Sequence, residues 1–147
     1  MFRFKNINKT KSIRIISFLS LSLFLFYNYA YAQRFVVIAN PDAPSISQDL
    51  LRSLYLGFKT SLPDGTRAKV YVLKGDGVKE RFFKEVLGIT PPEFKSHWIS
   101  RALAGEGTPP QELTAEEIIE RVKSEKGAIG FIPAQLKPEG VKVILER

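Results

Sequence analysis

The stretch Ala68-Lys69-Val70-Tyr71-Val72-Leu73-Lys74-Gly75-Asp76-Gly77-Val78-Lys79-Glu80-Arg81-Phe82-Phe83 decides the fold class. Ala68 to Leu73 is rich in β-branched and aromatic residues and reads as a strand. Gly75 and Gly77 break it, and Asp76 between them suits the cap of a helix. That helix runs to Leu87 with Phe82, Phe83, Val86 and Leu87 apolar, and Gly88 stops it. A strand that turns directly into a helix is the repeating step of an α/β fold.

The same alternation continues on both sides. Upstream, Phe35 to Ala39 is an apolar strand, broken by Asn40-Pro41-Asp42-Ala43-Pro44. Ser47 can cap a helix to Leu56 that Gly57 ends, and Leu62-Pro63-Asp64-Gly65 is a turn. Downstream, Thr90-Pro91-Pro92-Glu93 joins a capping box to a proline at the helix start, which opens a helix through Trp98 to Leu103. Thr114-Ala115-Glu116-Glu117 is a second capping box, for a helix ending near Gly127. Ala128 to Ile132 and Val141 to Leu145 are further strands. The expectation is an α/β domain of about four strands flanked by about four helices, with strand order open.

Charge and absences narrow the chemistry. The chain of 147 residues carries 22 Lys+Arg against 15 Asp+Glu, a net +7. Residues 1–32 contain Arg3, Lys5, Lys9, Lys11 and Arg14 and no acid, so the remaining 115 residues carry 17 bases and 15 acids. Without a concentrated basic face in that larger part, nucleic acid is not an expected partner. There is no Cys, which excludes disulfides, thiolate nucleophiles, iron–sulfur clusters and Cys-based zinc sites. His97 stands alone, so a multi-His metal centre is excluded too. No metal or cofactor is expected.

The basic residues 3–14 are followed by the apolar run Ile15 to Phe26 and then by Ala30-Tyr31-Ala32 before Gln33. A positive region, an apolar core of roughly 7–15 residues and a small-x-small site make a secretory signal peptide. The run falls short of the roughly 20 apolar residues that cross a bilayer, so no stable span is expected after cleavage. This reading divides the chain into a cleavable signal at 1–32, cut after Ala32, and a single domain at 33–147. The destination it predicts is the bacterial periplasm.

Loops carry what chemistry the mature domain offers. Lys74, Gly75, Asp76, Gly77 and Lys79 form the first candidate site, because glycines let backbone N–H groups approach an anion and the helix dipole favours one there. The competing reading is an ordinary turn whose N–H groups Asp76 already caps. A secondary rim is offered by Arg101, Gly105, Gly107 and Thr108, ahead of Pro109-Pro110, although these residues equally suit a plain helix-to-helix connection. Trp98 reads as core, His97 as a surface or half-buried residue, and Glu116, Glu117, Glu120 and Glu125 as a solvated face. No Ser/His/Asp set, P-loop or dinucleotide fingerprint is present, so no catalytic residue is assigned.

Four ordered stretches resemble the phosphate-type solute-binding proteins of ABC transporters, within the class II periplasmic binding protein fold. They are Leu50-Leu51-Arg52-Ser53-Leu54-Tyr55-Leu56-Gly57, Leu62-Pro63-Asp64-Gly65, Lys74 to Phe83, and Gly127-Ala128-Ile129-Gly130-Phe131. The resemblance implies a single lobe of that fold and an exported, non-enzymatic protein binding phosphate or another small oxyanion at Lys74 to Lys79. At that turn the family carries an Arg and hydroxyl donors, where this chain has Lys74, Val78 and Glu80. The alternative is therefore an accessory module of the cell envelope that kept the fold and lost the ligand. A lone lobe exposes its cleft face, which points to a homodimer or an envelope protein as partner.

Overall fold

The computed structural model describes residues 19–26, 33–136 and 138–147, and the chain divides into two units between Ala32 and Gln33. In the first, residues 19–26 are helical. No helix among the described residues is long and apolar enough to cross a membrane. The expected cleavage site at Ala30-Tyr31-Ala32 lies outside the described residues.

The second unit runs β1 (Phe35–Ala39), α1 (Gln48–Tyr55), β2 (Lys69–Leu73), α2 (Gly77–Phe82), α3 (Pro91–Leu103), β3 (Gln111–Leu113), α4 (Ala115–Ser124), β4 (Ala128–Pro133) and β5 (Lys142–Glu146). α2 continues as a π-helical turn, Phe83–Leu87, that ends at Gly88 with φ 69°. The strands form one mixed sheet in the order β3-β2-β4-β1-β5. β2 pairs parallel with β3 and β4, whereas β1 pairs antiparallel with β4 and β5.

The α/β class is as expected, but the sheet has five strands rather than four. Gln111–Leu113 is three residues long, two of them exposed, with Pro109-Pro110 just before it. Such a segment has no periodicity to read; register with Tyr71–Leu73 makes it a strand. α4 also ends at Ser124, earlier than the glycine at 127 implied.

Local chemistry starts the helices. The Ser47 hydroxyl accepts the Leu50 N–H at 3.1 Å, and Thr90 and Thr114 both form complete capping boxes with Glu93 and Glu117. Packing then orients them. Phe82 stacks on Phe131 of β4 at 3.9 Å and 10°, with Phe35 and Tyr55 edge-on to Phe82 at 5.6 and 5.0 Å. Phe94 of α3 meets Phe83 at 4.6 Å. Trp98 is buried as expected, donating its indole N–H to the Tyr55 carbonyl at 3.1 Å. These contacts gather α1, α2 and α3 on the Phe131 face of the sheet.

Gly130 points to the other face, because neighbouring strand residues alternate. A Cβ at Gly130 would run into the Ile118 side chain of α4, and one at Gly127, where φ is 79°, would run into the Arg67 carbonyl. Both glycines are required by close approach. Buried Asn40 ties this face together, donating its amide to the Val122 carbonyl at 2.9 Å and accepting the Asp42 N–H at 3.1 Å.

One member of the expected solvated acidic face is not free. Glu125 accepts from Arg121 and from the Tyr71 hydroxyl at 2.6 and 2.8 Å, with Lys69 at 3.2 Å. Contrary to the expectation of a solvated residue, Glu125 follows the end of α4 beside β2, where Tyr71, distant in sequence, reaches it. The Arg121 hydrogen bond, followed by that from Tyr71, holds the Glu125 carboxyl down at about 2. Burial and the Glu125 hydrogen bond push Tyr71 up to about 12.

Two outcomes follow for stability. Gly130→Ala lowers the unfolding free energy by about 1–3 kcal/mol and Trp98→Ala by about 3–5 kcal/mol, read by urea titration of residues 33–147. Because folding lowers the Glu125 pKa, its stabilisation is complete above about 4.5 and lost as pH falls towards 2. Melting curves should therefore show Glu125→Gln less stable than wild type at neutral pH, with the gap closing towards pH 2; a pH-independent gap would contradict the ion cluster.

Candidate anion site at the end of β2

β2 lies between β3 and β4: Lys69 and Val70 pair with β4, and its carboxyl end, Tyr71 to Leu73, pairs with β3. The Lys74 N–H donates to the Leu113 carbonyl at 2.9 Å, which extends the ladder one residue past the strand. Gly75 then takes φ 105°, a left-handed value open to glycine with little strain, and the chain enters α2. Lys74, Gly75 and Asp76 are exposed, with Gly77 and Lys79 half-buried. Four of the five expected site residues are thus consecutive at one turn.

Asp76 does not cap the helix, contrary to the sequence expectation. Its backbone is already helical, at φ −100° and ψ −64°, and its side chain makes no cap hydrogen bond. The three caps that do work, Ser47, Thr90 and Thr114, all have ψ near 160°. That extended geometry swings a short side chain back over the first turn, and Asp76 lacks it. The opening N–H groups of α2 consequently have no side-chain acceptor at the cap. Gln33 lies beside them, its amide nitrogen 3.6 Å from the Cβ position of Gly77.

Both cations at the turn have acidic neighbours. Lys79 reaches Glu112 of β3 at 3.5 Å; its side chain is 16% exposed against 53% for Glu112. Glu117 has its carboxyl lowered first by the Thr114 N–H and additionally by the charge of Lys74. Gln33, Glu112 and Glu117 were invisible to sequence reasoning as members of this site. Gln33 and Glu117 arrive from distant segments, and Glu112 belongs to the strand that the pattern did not reveal.

The expected rim gathers elsewhere. Arg101 donates to the Gly57 carbonyl at 3.0 Å, pairs with Glu106 at 3.1 Å, and lies 5.6 and 5.7 Å from the Phe58 and Trp98 rings. Gly105 ends the turn after α3 at φ 73°, and Gly107 packs near Trp98. Thr108 lines a small cavity of about 180 Å³ with Thr60, Arg67 and Ala68. Those last residues precede β2, whereas Lys74 follows it, so the cavity and the turn sit at opposite ends of a strand about 16 Å long. Arg101 is a tie between the ends of α1 and α3. His97 is half-buried as expected, its Nε2 2.8 Å from the Leu56 carbonyl.

The described residues hold no group of three or more His, Cys, Asp or Glu able to bind a metal ion. No protein-family model matches the sequence, and no curated protein matches it. Solved structures do resemble it. One is an ABC-type phosphate transport receptor from Vibrio cholerae, with a TM-score of 0.54 and 15% identity, covering 77% of this chain and 47% of that one. Another, from Clostridium perfringens, is assigned as a phosphate ABC transporter substrate-binding protein with bound phosphate; its TM-score is 0.53 at 17% identity, covering 75% of this chain and 43% of that one. The chain thus shares its α/β fold with phosphate transporter binding proteins and spans less than half the length of either.

Proposed function

We propose that this chain is an exported, non-enzymatic binding module of the phosphate substrate-binding type. Its signal peptide is removed after Ala32, it acts in the periplasm, and a small oxyanion is taken at Lys74, Gly75, Asp76, Gly77 and Lys79. The observation that carries this reading is the uncapped first turn of α2, at the carboxyl end of a central strand of a fold shared with phosphate-binding proteins. Ligands of open α/β sheets collect at the carboxyl ends of strands, and free helix N–H groups favour an anion. Lys74 supplies an exposed positive charge there.

A second reading is favoured by the acids at the turn. Lys79 is already paired with Glu112, and the charge of Lys74 helps lower the Glu117 carboxyl. Val78 and Glu80 stand where the resembling family has hydroxyl donors. On this reading the chain is an envelope module that has kept the fold without the ligand.

Calorimetric titration of residues 33–147 with inorganic phosphate and then sulfate separates the two. Binding of either anion, weakened roughly 10-fold or more by Lys74→Ala, supports the oxyanion module, since a charge-assisted hydrogen bond contributes about 1.5–3 kcal/mol. Glu112→Gln should tighten that binding by releasing Lys79. Absence of heat from wild type and from Glu112→Gln would establish the second reading instead.

A further inference from the structure

An apolar groove of about 820 Å³ opens between α2, α3 and β3, floored by Val72 and Phe83 and walled by Phe94, Trp98 and Pro110. That volume falls in the range of small-molecule sites, which are mostly apolar with a few placed polar groups. The charged residues lining this groove are Lys79, Lys95 and Glu112. Ile99, 51% exposed, and exposed Ala102 line it from α3, so the outward apolar side of that helix borders a cavity.

The fold explains why these charges meet an apolar floor. Lys79 and Phe83 are four residues apart, one turn along α2 and its π-helical extension, so both face the groove. Glu112 is in register with Val72 on the neighbouring strand, which sets its carboxylate on the same face of the sheet. Lys79 and Glu112 meet at 3.5 Å, the lysine 16% exposed. Lys95 is exposed and pairs with no acid among the described residues. Two cations against one acid leave the groove short of negative charge, and charge complementarity then selects an anion. Lys79 also belongs to the turn, two residues after Gly77, so turn and groove are continuous.

We propose that turn and groove form one site, whose ligand is a phosphate monoester carrying an aromatic or branched aliphatic group rather than free phosphate. This inference rests on the reading of the turn as an anion site and names the class of anion. The phosphate takes Lys79 from Glu112, which is already 53% exposed and turns aside to solvent. Lys79 and Lys95 then match a monoester charge of about −1.5 to −2 at neutral pH. The apolar group covers Val72 and Phe83 and lies against Trp98.

Calorimetric titration of residues 33–147 with inorganic phosphate and with phenyl phosphate separates this inference from the reading it rests on. Phenyl phosphate should bind about 10-fold or more tighter, the gain expected from covering one ring. Ala102→Trp, at an exposed position, puts bulk into the groove; it should cut phenyl phosphate to the affinity of inorganic phosphate with the circular dichroism spectrum unchanged. Glu112→Gln should tighten both anions alike, because it acts on the shared head group. Equal affinities in wild type, or an advantage that survives Ala102→Trp, would overturn the inference and leave the turn as a site for free phosphate. Equal affinities together with a dimer mass in light scattering that Ala102→Trp reduces to the monomer would give the groove to a second copy instead. Phenyl phosphate binding without measurable inorganic phosphate binding supports the inference. No binding of either anion, by wild type or by Glu112→Gln, overturns both readings.

Discussion

Phe82 lying flat on Phe131 is the contact from which the rest of this domain takes its position. It presses α2 onto the middle of the sheet and fixes the rotation of that helix. The edge-on rings of Phe35 and Tyr55 prevent a slide in either direction. The turn from Lys74 to Gly77 has almost no packing of its own, being exposed over three residues, and inherits its geometry from β2 before it and Phe82 after it. The placement of the candidate anion site is thus a consequence of aromatic packing one turn away.

The opposite face of β4 imposes the complementary constraint. Phe131 needs a large partner above the sheet and Gly130 needs none below, since Ile118 occupies the space a side chain would take. A one-residue slip of β4 would exchange those faces and bring bulk against α4. Glu125 and Asn40 then pin the end of α4, Glu125 by accepting from the Tyr71 hydroxyl and Asn40 by donating to the Val122 carbonyl. Two layers of different character result, one aromatic, the other built on Ile118 and Val122 over Gly130 with Asn40 at its margin.

The turn itself combines features that pull against each other. Free N–H groups and Lys74 favour an anion, while Glu112 occupies Lys79 and the Lys74 charge also acts on Glu117. On the proposed reading, an anion at this turn competes with Glu112 for Lys79.

Much of the fold was legible along the chain, because short-range chemistry sets it. Ser47, Thr90 and Thr114 cap the helices at the expected residues, Gly57 and Gly88 end them, and apolar runs mark four strands. The candidate turn was legible as well, since glycines after a strand are a local signal. Everything that depends on distant segments was decided by the tertiary structure. β3 exists because three residues find Tyr71–Leu73 as partners; Glu125 is ion-paired because α4 ends beside β2; Arg101 ties the ends of two helices together. Asp76 shows the limit most directly: its residue type suits a cap, but the backbone angle that makes a cap work is set by the packing of α2, which local sequence does not encode.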